Sequence, residues 1–224
     1  MTIAIRMLNF AIRGVSRTIC RVDDIELSKV PMEGPLILAV NHVNFLDAPL
    51  LYTHMLPRPI TGLVKKETWD NPVLGVLFSS WKAIPIRRGE ADLSAIQRAR
   101  EALKQKQILV VAPEGTRSKT GKLQHGKPGF ALLAALTRTP ILPLAFYGGE
   151  LVWDNMHRFV RTDFNIRVGE VYRLTDGLDI KDKKVRQKIT DEVMCLIADL
   201  LPAKYRGVYS KGPTENLSTL KKAK

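Results

Sequence analysis

Residues 35–47 read Pro-Leu-Ile-Leu-Ala-Val-Asn-His-Val-Asn-Phe-Leu-Asp. The apolar run 36–40 is too short for a buried helix, and it lacks the polar alternation of a half-solvated strand. It has the character of a strand covered on both faces, which a parallel sheet between helical layers provides. Asn41 to Asp47 then carry polar groups from the strand end into a helix, the place where α/β proteins keep their sites.

The same signature recurs outward from this stretch at 60–64, 83–86, 108–111 and 141–146. Helical patterns of crossover length lie at 47–55, 71–81, 92–105 and 127–137. The expected fold is α/β, a mostly parallel sheet sandwiched by helices. Residues 164–174 read as a later strand or a hairpin turning at Gly169, and 183–201 as a long amphipathic helix. The domain reading is 1–22 as an amphipathic helix, 23–209 as the folded domain and 210–224 as a basic flexible tail.

On a helical wheel, residues 2–19 gather Arg6, Arg13, Arg17, Asn9 and Ser16 on one side, with Ile3, Met7, Phe10, Ile12, Val15 and other apolar residues around the rest. Two uses fit this pattern: a core helix with a solvated arginine face, or an interfacial helix on anionic lipid. The longest apolar run in the 224 residues is the seven at 130–136, against the roughly 20 that a helix needs to cross a bilayer. A formal net charge of +13 directs attention to anionic partners: nucleic acid, membrane or small anionic substrates. No stripe of basic and aromatic residues and no nucleic-acid-binding signature accompanies that charge, so no nucleic acid partner is expected. Cys20 and Cys195 match no metal spacing, no metal site is expected, and a reducing cytoplasm suits them.

Chemistry concentrates at strand ends. His42 and Asp47 form a pair in which a carboxylate can orient an imidazole that takes a proton from a hydroxyl. A helix-capping polar cluster is the competing use of the same residues. Residues 112–118, Ala-Pro-Glu-Gly-Thr-Arg-Ser, follow another strand and offer Glu114, Gly115, Thr116 and Arg117 to a polar anionic ligand. Arg87 and Arg88 end a third strand with guanidinium forks that suit a phosphate. A Gly-x-Ser-x-Gly nucleophile elbow is absent, which argues against an α/β hydrolase. His54, His125 and His157 read as structural or surface residues, and Trp69, Trp81 and Trp153 as core or interface residues.

Taken in order, these segments resemble the 1-acylglycerol-3-phosphate acyltransferases and their glycerolipid acyltransferase relatives. The family's His-x-x-x-x-Asp signature falls on His42 and Asp47, preceded by Asn41. Its second motif falls on 82–88 and ends at Arg88, its Phe-Pro-Glu-Gly-Thr-Arg-Ser motif on 112–118, and its late Ile-x-Pro-Leu strand on 141–144 with Pro143. Two departures stand out: Lys82 occupies a position where the family commonly has Gly, and Ala112 replaces its usual Phe. The resemblance runs from about residue 35 to 209 and implies a glycerol-3-phosphate acyltransferase-like fold.

The resemblance also implies transfer of a fatty acyl group from acyl-CoA or acyl-ACP (acyl carrier protein) to the hydroxyl of 1-acyl-sn-glycerol-3-phosphate, forming phosphatidic acid without a cofactor. His42 would be the base and Asp47 its orienter. Arg88, Glu114, Gly115, Thr116, Arg117 and Pro143 would bind substrate, with Lys65 and Lys66 as weaker candidates. Glycerol-3-phosphate or an ornithine-type lysolipid remain open as acceptors. A lipid-borne acceptor favours residues 1–20 as an interfacial anchor, with Phe10, Ile12 and Val15 in the acyl boundary, at the cytoplasmic face of the cell membrane.

Overall fold

The protein is described by a computed structural model that covers residues 3–87, 92–211 and 217–223. Its sheet runs in the order β1 (Cys20–Asp23), β7 (Thr162–Val168), β6 (Ile141–Tyr147), β2 (Leu36–Val40), β5 (Ile108–Val111), β3 (Ile60–Lys65) and β4 (Ile84–Ile86). From β6 to β4 every neighbouring pair is parallel. β7 is antiparallel to β6 and carries β1 parallel to itself.

Alternate side chains of a strand leave to opposite faces. Ile37 and Ala39 of β2 therefore pack with α4 (Leu93–Lys104), α5 (Gly129–Thr137) and α7 (Lys183–Asp199). Leu36, Leu38 and Val40 pack toward α2 (Asp47–His54) on the other face. The expected strands and helices are in place, with ends shifted by at most two residues.

Several expectations need correction. The 164–174 segment is not a hairpin: β7 and β8 (Tyr172–Leu174) both pair with β6, Val168 opposite Leu144 and Tyr172 opposite Ile141. Pro143 explains the break between them, since it has no N–H to give a partner strand. Gly169 N–H instead donates to the Pro143 carbonyl at 2.9 Å. The 210–224 tail is not flexible throughout, because β9 (Leu220–Lys222) adds antiparallel to β8 and Leu220 is buried in the core. Glu192 on α7 fastens this strand by accepting from N–H and hydroxyl of both Ser218 and Thr219, at 2.7–3.1 Å. Residues 212–216 and 224 of the expected tail lie outside the described residues. The 1–22 segment is not separate from the domain either, since β1 belongs to the sheet.

α1 (Ile3–Ile19) leaves most of its apolar residues outside and turns Asn9 and Ser16 toward the body, with Ile12 and Ile19 half-buried beside them. Asn9 and Ser16, expected on a solvated face, are each 3% exposed, whereas Ile3, Met7, Phe10 and Val15 are 60–80% exposed. The reason is the surface beneath, which offers polar partners. The Trp81 indole N–H donates to Asn9 Oδ1 at 2.8 Å, and Arg17 pairs with Asp24 at 2.8 Å and donates to His54 Nε2 at 3.3 Å. Burial pushes the His54 imidazole below its usual range, more than its bond to the Leu50 carbonyl raises it, so it stays a neutral acceptor for Arg17. Ile12 is half-buried against the body instead of facing outward. Among the described residues, no helix is long and apolar enough to cross a membrane.

Candidate active site

Because the strands from β6 to β4 are parallel, their C-terminal ends share one edge of the sheet, and residues far apart in sequence meet there. β2 delivers Asn41 to Leu46, β5 delivers 112–118, β3 delivers Lys65 and Lys66, and β4 delivers Arg87.

Asp47 opens α2, where a carboxylate is favoured by the helix dipole. Its Oδ2 receives the backbone N–H of Val43 at 2.7 Å and of Asn44 at 3.0 Å, and lies 2.7 Å from His42 Nδ1. A carboxylate can only accept, so Nδ1 carries the imidazole proton and Nε2 keeps its lone pair. Asp47 is 3% exposed, while a quarter of the His42 side chain reaches solvent and its Nε2 has no hydrogen-bond partner among the described residues. Oδ1 of Asp47 is buried and likewise unpartnered among them.

The 112–118 loop grips His42 from both backbone sides. His42 N–H donates to Glu114 Oε1 at 3.3 Å, and Ser118 N–H donates to the His42 carbonyl at 2.7 Å. Glu114 Oε2 accepts from Gln124 N–H at 2.9 Å. Burial pushes the Glu114 carboxyl above its usual range, against the opposing pull of the Gln124 and His42 bonds. Glu114 was expected to line the acceptor's subsite. The structure turns it inward, at 1% exposure, as the brace between this loop and the base.

Gly115 holds φ at 69°, and a Cβ there would stand 3.2 Å from Lys127 Cδ, so glycine lets the loop turn at this point. Thr116 and Arg117 follow with exposed side chains. Pro143 does not join them: it is buried inside the sheet, paired with Ala39, below the edge that bears His42. Arg88 lies outside the described residues. Its neighbour Arg87 lines a cleft of about 310 Å3 with Lys66, Asp92, Ser94 and Arg98, beside the ends of β3 and β4.

Three further residues position His42; sequence reasoning gave Asn41 and Asn44 no role and offered Ser118 to the anionic ligand. The Asn41 amide pairs with both backbone groups of Phe146, donating to its carbonyl at 2.8 Å and accepting its N–H at 2.7 Å, which ties the end of β2 to β6. Asn44 accepts from Leu46 N–H at 2.7 Å and donates to the Gly149 carbonyl. Gly149 admits that approach because a Cβ would lie 2.7 Å from the Phe164 ring and 2.8 Å from Asn44 Nδ2. Ser118 is the third, through the backbone bond to His42 and a hydroxyl bond to the Lys122 carbonyl at 2.6 Å. The available signal was their place beside His42 and Glu114 at strand ends. Cys20 is fully buried, and burial pushes its thiol up to about 11 against the pull of Arg161, so it stays protonated and is no nucleophile. The arrangement thus offers an imidazole with an outward nitrogen that could act as a base, a carboxylate that orients it and an exposed guanidinium on the adjoining loop.

A family model described as Acyltransferase matches residues 21–147. Among curated proteins, the chain is 30% identical over 180 residues to a 1-acyl-sn-glycerol-3-phosphate acyltransferase of Cocos nucifera, covering 79% of this chain and 57% of that one. It is 36% identical over 117 residues to one of Limnanthes douglasii, covering 50% and 41% of the two chains. It is 24% identical over 171 residues to one of Bacillus subtilis (strain 168), covering 76% and 83%. The chain therefore spans about half the length of the first of these curated relatives. Among solved structures, the 1-acyl-sn-glycerophosphate acyltransferase PlsC of Thermotoga maritima superposes with a TM-score of 0.61 at 20% identity, covering 87% of this chain and 78% of that one, which shows the shared fold.

Proposed function

The chain belongs to the acyltransferase family, and from that premise we propose that it moves a fatty acyl group from a thioester, on coenzyme A or acyl carrier protein, to the free hydroxyl of 1-acyl-sn-glycerol-3-phosphate. The observation that carries the reading is the 2.7 Å contact between His42 Nδ1 and Asp47 Oδ2, with Nε2 left to face a substrate. Nε2 takes the proton of the acceptor hydroxyl as its oxygen attacks the thioester carbonyl. Asp47 stabilises the imidazolium that forms. The tetrahedral intermediate then expels the thiolate, which recovers the proton from Nε2, so no acyl-enzyme and no cofactor is needed.

Arg117 and Arg88 hold the acceptor's phosphate, with Gly115 and Thr116 shaping the loop around it, because forked guanidinium donors match a phosphate monoester. The exposed apolar side of α1, flanked by Arg6 and Arg13, rests on an anionic membrane, each basic residue adding about 1 kcal/mol near the surface. The names of the relatives support the acceptor, and two cysteines far apart in sequence, with no disulfide framework in their spacing, suit the reducing side of the membrane.

The test is an acceptor panel with purified protein: lysophosphatidate, glycerol-3-phosphate and an ornithine-type lysolipid, each with acyl-CoA and acyl-ACP. Lysophosphatidate should be the fastest acceptor. Its KM should rise from wild type through Arg88→Lys to Arg88→Ala and in Arg117→Ala, with little change for the thioester. Equal losses on the phosphate-free acceptor would make the arginines structural, and faster turnover of the ornithine-type lipid would replace the proposed acceptor.

A further inference from the structure

α6 (Val152–His157) lies on the same side of the sheet as α2, with Val152 buried in that core. Its Trp153 is 54% exposed and stacks at 4.9 Å on Phe45, inside the loop between His42 and Asp47. The chain leaves α6 through Arg158, Phe159, Val160 and Arg161 before entering β7. Phe159 has φ of 54° and is 99% exposed, and Val160 is 49% exposed. Arg161 donates to the carbonyls of Arg17 at 2.6 Å and Cys20 at 2.9 Å, which sets this turn against the C-terminal end of α1.

A bulky side chain in left-handed backbone is disfavoured, and here the strain turns an aromatic ring entirely into water. The left-handed backbone itself closes α6, with Phe159 N–H on the Met156 carbonyl at 3.1 Å and Val160 N–H on the Asn155 carbonyl at 2.9 Å, but that cap is usually given to glycine and does not call for an aromatic ring in water. The combination of a projecting aromatic, a neighbouring apolar residue and an adjacent arginine is satisfied at a lipid interface, where rings enter the headgroup boundary and guanidinium groups meet phosphates. We propose that the 158–161 turn is a second bilayer contact, in which Phe159 and Val160 enter the acyl boundary of an anionic membrane and Arg158 binds its phosphates. Arg161 ties the turn to the C-terminal end of α1, whose outward side is apolar, so in this proposal both meet the same bilayer. The Trp153–Phe45 stack links that surface to the loop bearing the base. The proposal rests on the reading that the acceptor is taken from a membrane and that α1 contacts it.

The full-length protein is sedimented with phosphatidylglycerol–phosphatidylcholine vesicles as wild type, as Phe159→Ser/Val160→Ser, as Phe159→Trp and as Met7→Ser/Phe10→Ser in α1. All the altered side chains are exposed, and thermal melts verify that each variant is folded. The Phe159→Ser/Val160→Ser variant should partition about tenfold more weakly, Phe159→Trp as well as wild type. Its KM should rise for lysophosphatidate in vesicles and stay unchanged for a short-chain monomeric lysophosphatidate. If this variant binds vesicles as wild type does while the α1 variant is released, the second contact is refuted and the α1 reading stands. If both bind as wild type does, the membrane reading falls with it. If the turn variant instead only converts a dimer to a monomer in sedimentation equilibrium, the surface joins two copies of this chain and the proposal is overturned.

Discussion

Replacing Asp47 with Asn keeps the outline of the side chain and removes the charge that His42 would need on becoming an imidazolium. The contact is 2.7 Å, so the two charge centres lie about 4 Å apart, and an effective dielectric of about 20 gives about 4 kcal/mol. Lost from the transition state, that is a rate factor of about 10³. The amide also places an NH2 either against the N–H groups of Val43 and Asn44 or at the buried, unpartnered Oδ1 position, which costs about 1–3 kcal/mol of stability. The assay is thiol release from an acyl thioester at saturating lysophosphatidate, paired with a thermal melt. We expect kcat to fall about 10³-fold with both KM values within a few-fold of wild type. A folded Asp47→Asn protein turning over within about tenfold of wild type would refute the electrostatic argument, because the distance leaves no way for so close a charge to be idle.

Asn41→Ala should destabilise the protein by about 2–4 kcal/mol, since the buried N–H and carbonyl of Phe146 both lose their partner. An unfolding free energy from urea titration lowered by less than about 1 kcal/mol would show that the strand ends hold without it. Glu192 titrates in the opposite sense from Glu114. Burial pushes its carboxyl up, but the bonds from Thr219 and Ser218 outweigh this and leave it below the usual range. A depressed folded-state value stabilises fully above the ordinary glutamate pKa of about 4.3, and the contribution fades as pH falls through the lower folded value. Urea unfolding across that acidic window should therefore show wild type losing stability more steeply than Glu192→Gln, with the variant already weaker at neutral pH. Parallel slopes would dissociate Glu192 from acid sensitivity.

Much of the architecture was legible because it depends on local pattern. Short unbroken apolar runs separated by helical periods admit few arrangements other than a parallel sheet between helices. The His42 and Asp47 pair was legible through its match to the family signature, since spacing alone leaves a helix-capping cluster as a competing use; the bond itself closes locally, five residues apart at a strand end. The inward turn of Glu114 was not legible, because its partners, His42 and Gln124, are brought together only when β2 and β5 pair. Pro143 read as a motif residue of the site, and its actual burial follows from the register of β6 against β2, which no single strand specifies.

α1 shows the division most plainly. Its sequence by itself determined a helix with arginines on one flank and apolar residues over much of the rest, since helical period and side-chain chemistry are properties of consecutive residues. Which side faces the body was decided by residues far along the chain: Trp81 reaches Asn9, and His54 with Asp24 holds Arg17. A buried polar group is stable only where a partner meets it, and partners are supplied by the tertiary structure. Once those polar bonds are made, the apolar side has nowhere to go but outward, so the surface that meets lipid in our proposal is set by hydrogen bonds on the helix's opposite side.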